Sequence, residues 1–286
     1  MSHDSVFPPG RVTIVGVLNV TPDSFSDGGL LLGDLGRVCL DRVLEAGAKL
    51  VEAGAHVLDV GGESTRPGAA PVALDEEIDR TARSVEMLVR ELPVPISIDS
   101  RNAQVARCAV EAGARIINDI SGLSHDPSMA DVAATSGAIL VLGHIRGTPA
   151  TMQDEPAYVD VLEEVAAELE ISIERARGAG VPSDRLVADP GIGFGKRLED
   201  NLQLIAHAGW LKGRLGLPVM VGPSRKAFLG TLTGDPVGSR DFATHAACAV
   251  AAFAGADAVR VHDPGGARRA VAVGRALGTA RRKDLP

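Results

Sequence analysis

An excess of basic charge is missing from this chain. Its 286 residues carry 29 Lys and Arg against 37 Asp and Glu, a formal net charge of -8. No global positive field is available for nucleic acid or an anionic membrane surface, so an anionic substrate would have to meet cations gathered locally. Cysteine is scarce as well. Cys39, Cys108 and Cys248 are far apart, odd in number and set in Ala/Val-rich stretches; they read as reduced core residues of a cytoplasmic protein rather than as disulfides or metal ligands. No uninterrupted apolar segment reaches membrane-spanning length, since even the Ala-rich residues 243–254 include His245. The opening MSHDSVFPPG has neither a basic nor a long apolar stretch, which predicts no signal peptide. No Asn-Gly hairpin signal separates the apolar runs. His-Glu-x-x-His, Cys-x-x-Cys and Gly-x-Ser-x-Gly are also absent, which argues against tightly bound zinc and against an acyl-enzyme serine.

What the chain does have is one arrangement repeated. Residues 12–18 are a short run rich in β-branched residues, as in a strand buried on both faces, and it breaks at Asn19 into a loop dense in Thr, Pro, Asp, Ser and Gly. Similar apolar runs recur at 56–60, 96–100, 115–121, 138–144, 185–189, 218–222 and 257–263. Between and after them, helical periodicity predicts helices over 34–54, 75–92, 102–113, 127–136, 158–180, 198–211, 240–255 and 264–280, with Asn102 as an N-cap. The phrases EAGA (45–48), EAGA (111–114), GAGV (178–181) and AGAD (254–257) read as glycine C-caps at helix-to-strand handovers. Strict strand–helix alternation implies parallel strands. Eight such units at this length predict a single-domain α/β fold, a (β/α)8 TIM barrel over 12–280, with tails at 1–11 and 281–286.

Active sites of such barrels lie at the C-terminal ends of the strands. Here those ends carry Asn19; Asp59 and Glu63; Asp99; Asn118 and Asp119; His144; Asp189; Ser224, Arg225 and Lys226; and Arg260 and His262. One polar residue after a strand is ordinary loop chemistry, but eight in succession converge on one mouth. Asn19 could cap a turn, or hold a hard cation or a phosphate. Asp99 and Asp189, in apolar settings, need a donor from the protein or from a ligand. Arg260 and His262 are two apart on a strand and share a face; they suit an anion or form a surface pair. Asp99, Asp189 and Asn118 could read a flat heterocycle rich in N–H donors, such as the guanidine-like edge of a pterin, while Arg260, His262, Arg66 and Lys226 could hold a phosphate-bearing group. PGIGFGK (190–196) is neither a P-loop, since Pro190 and Arg197 stand where Gly and Ser/Thr are required, nor a dinucleotide fingerprint, since Lys196 replaces the third glycine.

In this order, NVTPDSFSDGG (19–29), GGESTRPGA (61–69), SIDS (97–100), INDIS (117–121), DPGIGFGK (189–196), GPSRK (222–226) and RVHD (260–263) resemble the dihydropteroate synthase family over most of the chain. The resemblance implies a TIM-barrel transferase of folate biosynthesis, commonly a homodimer, that requires Mg2+. Its substrates would be 6-hydroxymethyl-7,8-dihydropterin pyrophosphate and p-aminobenzoate. By matched motif, Asp99, Asn118, Asp189, Phe194, Gly222 and Lys226 are implied at the pterin, and Asn19, Arg260 and His262 at the pyrophosphate, with Asn19 also near the metal. Phe25, Thr65, Arg66, Pro67 and Ser224 are implied at p-aminobenzoate, where sulfonamides would compete. Asp99, Asp189, Lys226 and Asn19 would carry catalysis. The chain departs from the family at Gly143, where a Met is frequent; the glycine predicts a roomier or wetter pocket. Two rivals stand beside this reading. One is a methyltetrahydrofolate-binding barrel, which would need neither long loop; the other is a paralogue that binds pterin without turnover.

Overall fold

The computed structural model describes residues 6–21, 31, 38–64 and 72–283. The strands are β1 (Thr13–Asn19), β2 (Val57–Gly61), β3 (Ile96–Asp99), β4 (Ile116–Asp119), β5 (Ile139–Gly143), β6 (Leu186–Asp189), β7 (Met220–Val221) and β8 (Ala258–Val261). All pair in parallel, in the order β6-β5-β4-β3-β2-β1-β8-β7. A bridge between Ala188 and Val219, with the Ala188 N–H donating to the Pro218 carbonyl at 2.9 Å, joins the two edges into a barrel. The strands are apolar throughout because both faces are covered. Their alternation makes two cores: Val15, Val57, Ile116, Val141 and Val187 point into the barrel, while Ile14, Leu58, Ile98, Ile117 and Leu140 face the helices. Phe7, also buried, joins the inner core, so the residues just ahead of β1 pack with the barrel.

The helices among the described residues are α1 (Leu40–Glu52), α2 (Leu74–Glu91), α3 (Ala103–Glu111), α4 (Met129–Ser136), α5 (Val161–Gly178), α6 (Leu198–Ala206), α7 (Ala208–Leu215), α8 (Ala227–Thr233), α9 (Asp241–Ala254) and α10 (Pro264–Lys283). None is long and apolar enough to cross a membrane. Several boundaries differ from the sequence reading. The helix expected over 198–211 is broken at His207, whose φ/ψ of -116/25° is not helical. The helix expected from 158 starts at Val161, because the Asp160 carboxylate accepts the N–H groups of Leu162 and Glu163 at 3.0 and 3.2 Å. Asn102 stands at the N-cap of α3, yet its side-chain amide donates instead to Glu77 at 2.8 Å. α10 runs three residues past the expected end at 280, to Lys283.

The glycine handovers hold at three of the four phrases. Gly113, Gly180 and Gly255 all have φ near +100°, which ends a helix without a Cβ clash. The fourth is corrected: Gly47 lies inside α1, where a Cβ would come within 2.8 Å of Leu88 of α2, so it serves close helix packing. The handover after α1 is Gly54, with φ +107°. The same economy joins α9 to α10: a Cβ on Gly274 would meet the Ala249 carbonyl oxygen at 2.0 Å, so the two backbones are in contact.

Candidate active site

Parallel register places Asn19 beside Gly61, Gly61 beside Asp99, and Asp99 beside Asn118, one row across the C-terminal rim of β1 to β4. The rim opens into a cleft of about 700 Å³ whose walls include Asn19, Asp99, Phe194, Ser224, Lys226, Arg260 and His262. Gly222 lies in the floor; a Cβ there would stand 3.8 Å from Arg260 and 4.0 Å from the Asp189 carboxylate. Phe25, Thr65, Arg66 and Pro67 lie outside the described residues.

Arg260 is the hub of the charged set. Its Nε donates to Asp59 Oδ2 at 2.6 Å and its Nη2 to Asp99 Oδ2 at 2.5 Å. Asn118 donates to the same Asp59 oxygen at 2.9 Å. Burial works against the Arg260 charge, but Asp99 and Asp59 outweigh it and hold the guanidinium well above its ordinary range. Burial pushes the Asp99 carboxyl up to about 7, although Arg260 draws it down. It also raises Asp189, against the Gly191 N–H that donates to Asp189 Oδ1 at 2.7 Å. A carboxyl raised this way has unspent capacity for a ligand's N–H donors. Asp59 Oδ1 is buried with no partner.

The basic residues are set by β7 and β8. Arg225 adopts φ +56°, fixed by its N–H on Thr244 Oγ1 (3.0 Å) and its guanidinium on Asp241 (2.7 and 2.8 Å). This turn leaves both Ser224 and Lys226 in the cleft. Lys226 Nζ sits 3.8 Å from the centroid of the Phe194 ring, a cation–π contact. Ser224 Oγ accepts the His262 N–H at 3.1 Å and lies 2.8 Å from His262 Nδ1. Two residues implied at different subsites therefore form one unit, with the hydroxyl proton available to Nδ1.

Some rim residues turn away from the cleft. Asp119 is spent on its own turn, accepting from Ser121 N (2.8 Å) and Leu123 N (2.7 Å). His144 is buried between Glu168 and Lys196, each 2.9 Å from one ring nitrogen. Glu63, by contrast, stays on the cleft wall, where it faces Arg101 at 3.4 Å. No group of three or more His, Cys, Asp and Glu suited to a metal occurs among the described residues. The room expected from Gly143 is not there: a Cβ would lie 2.5 Å from Ile120 Cα, so the backbone after β4 already fills that space. Sequence reasoning placed Asp59 at a strand end but gave it no task, and it missed Lys196 and Glu168. A lysine inside a glycine-rich apolar loop was the available signal for Lys196; Glu168 carried none.

The fold and rim define a barrel enzyme whose mouth combines buried carboxylates and an amide with a cationic side. A family model described as pterin binding enzyme matches residues 15–262. A dihydropteroate synthase of Synechocystis is 44% identical over 254 residues, covering 88% of this chain and 86% of that one. That of Bacillus subtilis is 43% identical over 253 residues, 88% and 84% respectively. Among solved structures, the Yersinia pestis dihydropteroate synthase in a sulfonamide drug complex superposes with a TM-score of 0.87 at 39% identity, covering 94% of this chain and 95% of that one. The Xanthomonas albilineans enzyme with 4-aminobenzoic acid gives 0.84 at 40%, covering 97% and 95%. The chain belongs to the pterin-binding enzyme family and, within it, to the dihydropteroate synthases, transferases of folate biosynthesis.

Proposed function

We propose that the cleft joins 6-hydroxymethyl-7,8-dihydropterin pyrophosphate to p-aminobenzoate, giving 7,8-dihydropteroate and pyrophosphate. The observation that carries this is the convergence of Asp99, Lys226 and Arg260 on one cleft, with Asn118 joined to Arg260 through Asp59 and Asp189 close behind Gly222 of the cleft wall. Asp99 and Asp189 accept N–H donors of the pterin, with Asn118 and Lys226 beside them and the Phe194 ring as an aromatic wall. Asn19, Arg260 and His262 take the diphosphate. Ser224, with Phe25, Thr65, Arg66 and Pro67, takes p-aminobenzoate, and sulfonamides compete there. The Xanthomonas structure with 4-aminobenzoic acid and the Yersinia sulfonamide complex support this reading.

The C–O bond to the diphosphate breaks first and the leaving oxygen keeps the electron pair. Positive charge develops on the pterin beside the Asp99 and Asp189 carboxylates, which stabilise it without moving. The neutral aniline nitrogen then forms the C–N bond and loses its proton. This needs no strong protein base. Asn19, on the cleft wall, would hold Mg2+ through its amide oxygen; the ion when bound would stabilise the charge of the leaving group.

We further infer a cytoplasmic homodimer. Its surface is formed by α9 and α10, on which Phe242, Val250, Val273 and Leu277 are exposed. A monomer at all concentrations in sedimentation would reject it. The activity itself is tested by incubating the protein with both substrates with and without Mg2+. Magnesium-dependent dihydropteroate, suppressed by a sulfonamide, is expected. Pterin binding without product would instead identify a silent paralogue.

A further inference from the structure

The loop after β6 is fastened to the loop after β5 by a buried lysine. Lys196 is 4% exposed. Its Nζ lies 2.9 Å from His144 Nδ1, 3.0 Å from the Phe194 carbonyl oxygen and 3.4 Å from that of His144. Burial draws Lys196 down to about 7, with the Asp189 and Glu168 carboxylates opposing it; as an ammonium it has three N–H donors and no acceptor, which these three acceptors match. His144 is thereby set as the tautomer that accepts at Nδ1 and donates from Nε2 to Glu168 at 2.9 Å. Glu168 in turn accepts from Arg146 Nε at 3.0 Å, and the Arg146 guanidinium lies 3.9 Å from the centroid of the Tyr158 ring. The Tyr158 hydroxyl closes the circuit by donating to the Gly195 carbonyl at 2.9 Å.

The circuit therefore begins and ends on consecutive carbonyls of one loop, those of Phe194 and Gly195. The same loop is held from its other side, where Asn201 accepts the Gly193 N–H at 2.6 Å and Gln153 donates to the Gly193 carbonyl at 3.0 Å. At Gly191, φ is +68° and a Cβ would stand 1.8 Å from the His144 carbonyl oxygen, so the two loops are in backbone contact. Phe194 rides on this clamp, and the Lys226 ammonium rests on its ring.

We propose that Lys196 is a positioning residue for the pterin substrate. Its ammonium locks the loop after β6 against His144 and so fixes the Phe194 ring and the Lys226 contact that together wall the pterin end of the cleft. The alternative is a lysine that only fills the space between two loops. This inference rests on the pterin reading of the cleft, and the test separates the two.

Lys196→Met keeps length and removes the donors; Lys196→Gln keeps a donor and serves as the second variant if the first does not fold. In Lys196→Met the KM for the pterin substrate is expected to rise tenfold or more. The KM for p-aminobenzoate is expected to stay within about twofold and kcat within about threefold, and Lys196→Gln should show a smaller rise. Hydrogen exchange of residues 191–196 in the ligand-free protein is expected to speed up by at least tenfold in Lys196→Met. A folded variant with wild-type pterin KM, an equal rise in both KM values, or unchanged exchange in the free protein overturns the proposal while leaving the activity in place. A wild-type protein that does not bind the pterin substrate overturns both readings at once.

Discussion

At Asp99 the charge is contested, and that has measurable consequences. The carboxyl sits in the row Asn19–Gly61–Asp99–Asn118, shares Arg260 with Asp59, and is pushed up to about 7 by burial. A pterin edge rich in N–H donors needs the ionised form. Pterin affinity is therefore expected to fall as pH drops through about 7, approaching tenfold per pH unit below it, and Asp99→Asn should remove that slope in a calorimetric titration. Asp99→Asn and Asp189→Asn are each expected to lower kcat by at least about a hundredfold, on the scale of losing a placed electrostatic group, with the circular dichroism of a folded barrel. Near-wild-type turnover in both would remove the pterin-carboxylate assignment. Asp59→Ala would leave Arg260 with Asp99 alone, and Asn118 without its acceptor. Breaking a buried pair costs about 3–5 kcal/mol, so a loss of that order in urea unfolding is expected. Asp99 and Asp189 were legible in the sequence because a lone carboxylate ending an apolar run must be satisfied somewhere. The task of Asp59 was not, because its partner Arg260 lies 201 residues away in the chain.

At the scale of elements, the loops after β5 and β6 behave as one unit. His144 in that unit is driven down to about 4 by burial and by the neighbouring Lys196, against an ordinary value of 6.5. Its folded pKa lies below its unfolded one, so the stability it confers is complete above pH 6.5 and is lost as pH falls through 4. The difference is worth about 3 kcal/mol. Between pH 7 and 4 the wild type should lose about that much more unfolding free energy than His144→Gln does. The same unit explains which boundaries were readable. The strands stood out as apolar runs closed by polar residues, and three glycine handovers were marked by their own φ requirement. The break at His207 and the short helix α8 were hidden: the first is a non-helical φ/ψ at a single residue, and the second packs on α6 and α9, neighbours that only the fold supplies. Glu168 was hidden for a related reason: on α5 it is one acid among several, and only the fold brings it to His144. The Gly143 reading failed because a missing side chain predicts a void only if the neighbouring backbone stays put. Gly143→Met is expected to displace Ile120 and weaken pterin binding, measured against the wild type.

For the whole molecule, parallel alternation made the barrel legible, while its closure was not: nothing in PVMVG announces that β7 is two residues long. The β6–β7 edge is held by one bridge and the Ala188–Pro218 hydrogen bond. That seam divides the chain as well as the sheet. Asn19, Asp99, Asn118 and Asp189 all precede it; Ser224, Lys226, Arg260 and His262 all follow it. A polypeptide cut at the bend between α6 and α7 would yield one piece holding these acids and amides and another holding Ser224 with the three basic residues. Neither piece would carry the whole site, and turnover by a mixture of the two would report their reassembly directly.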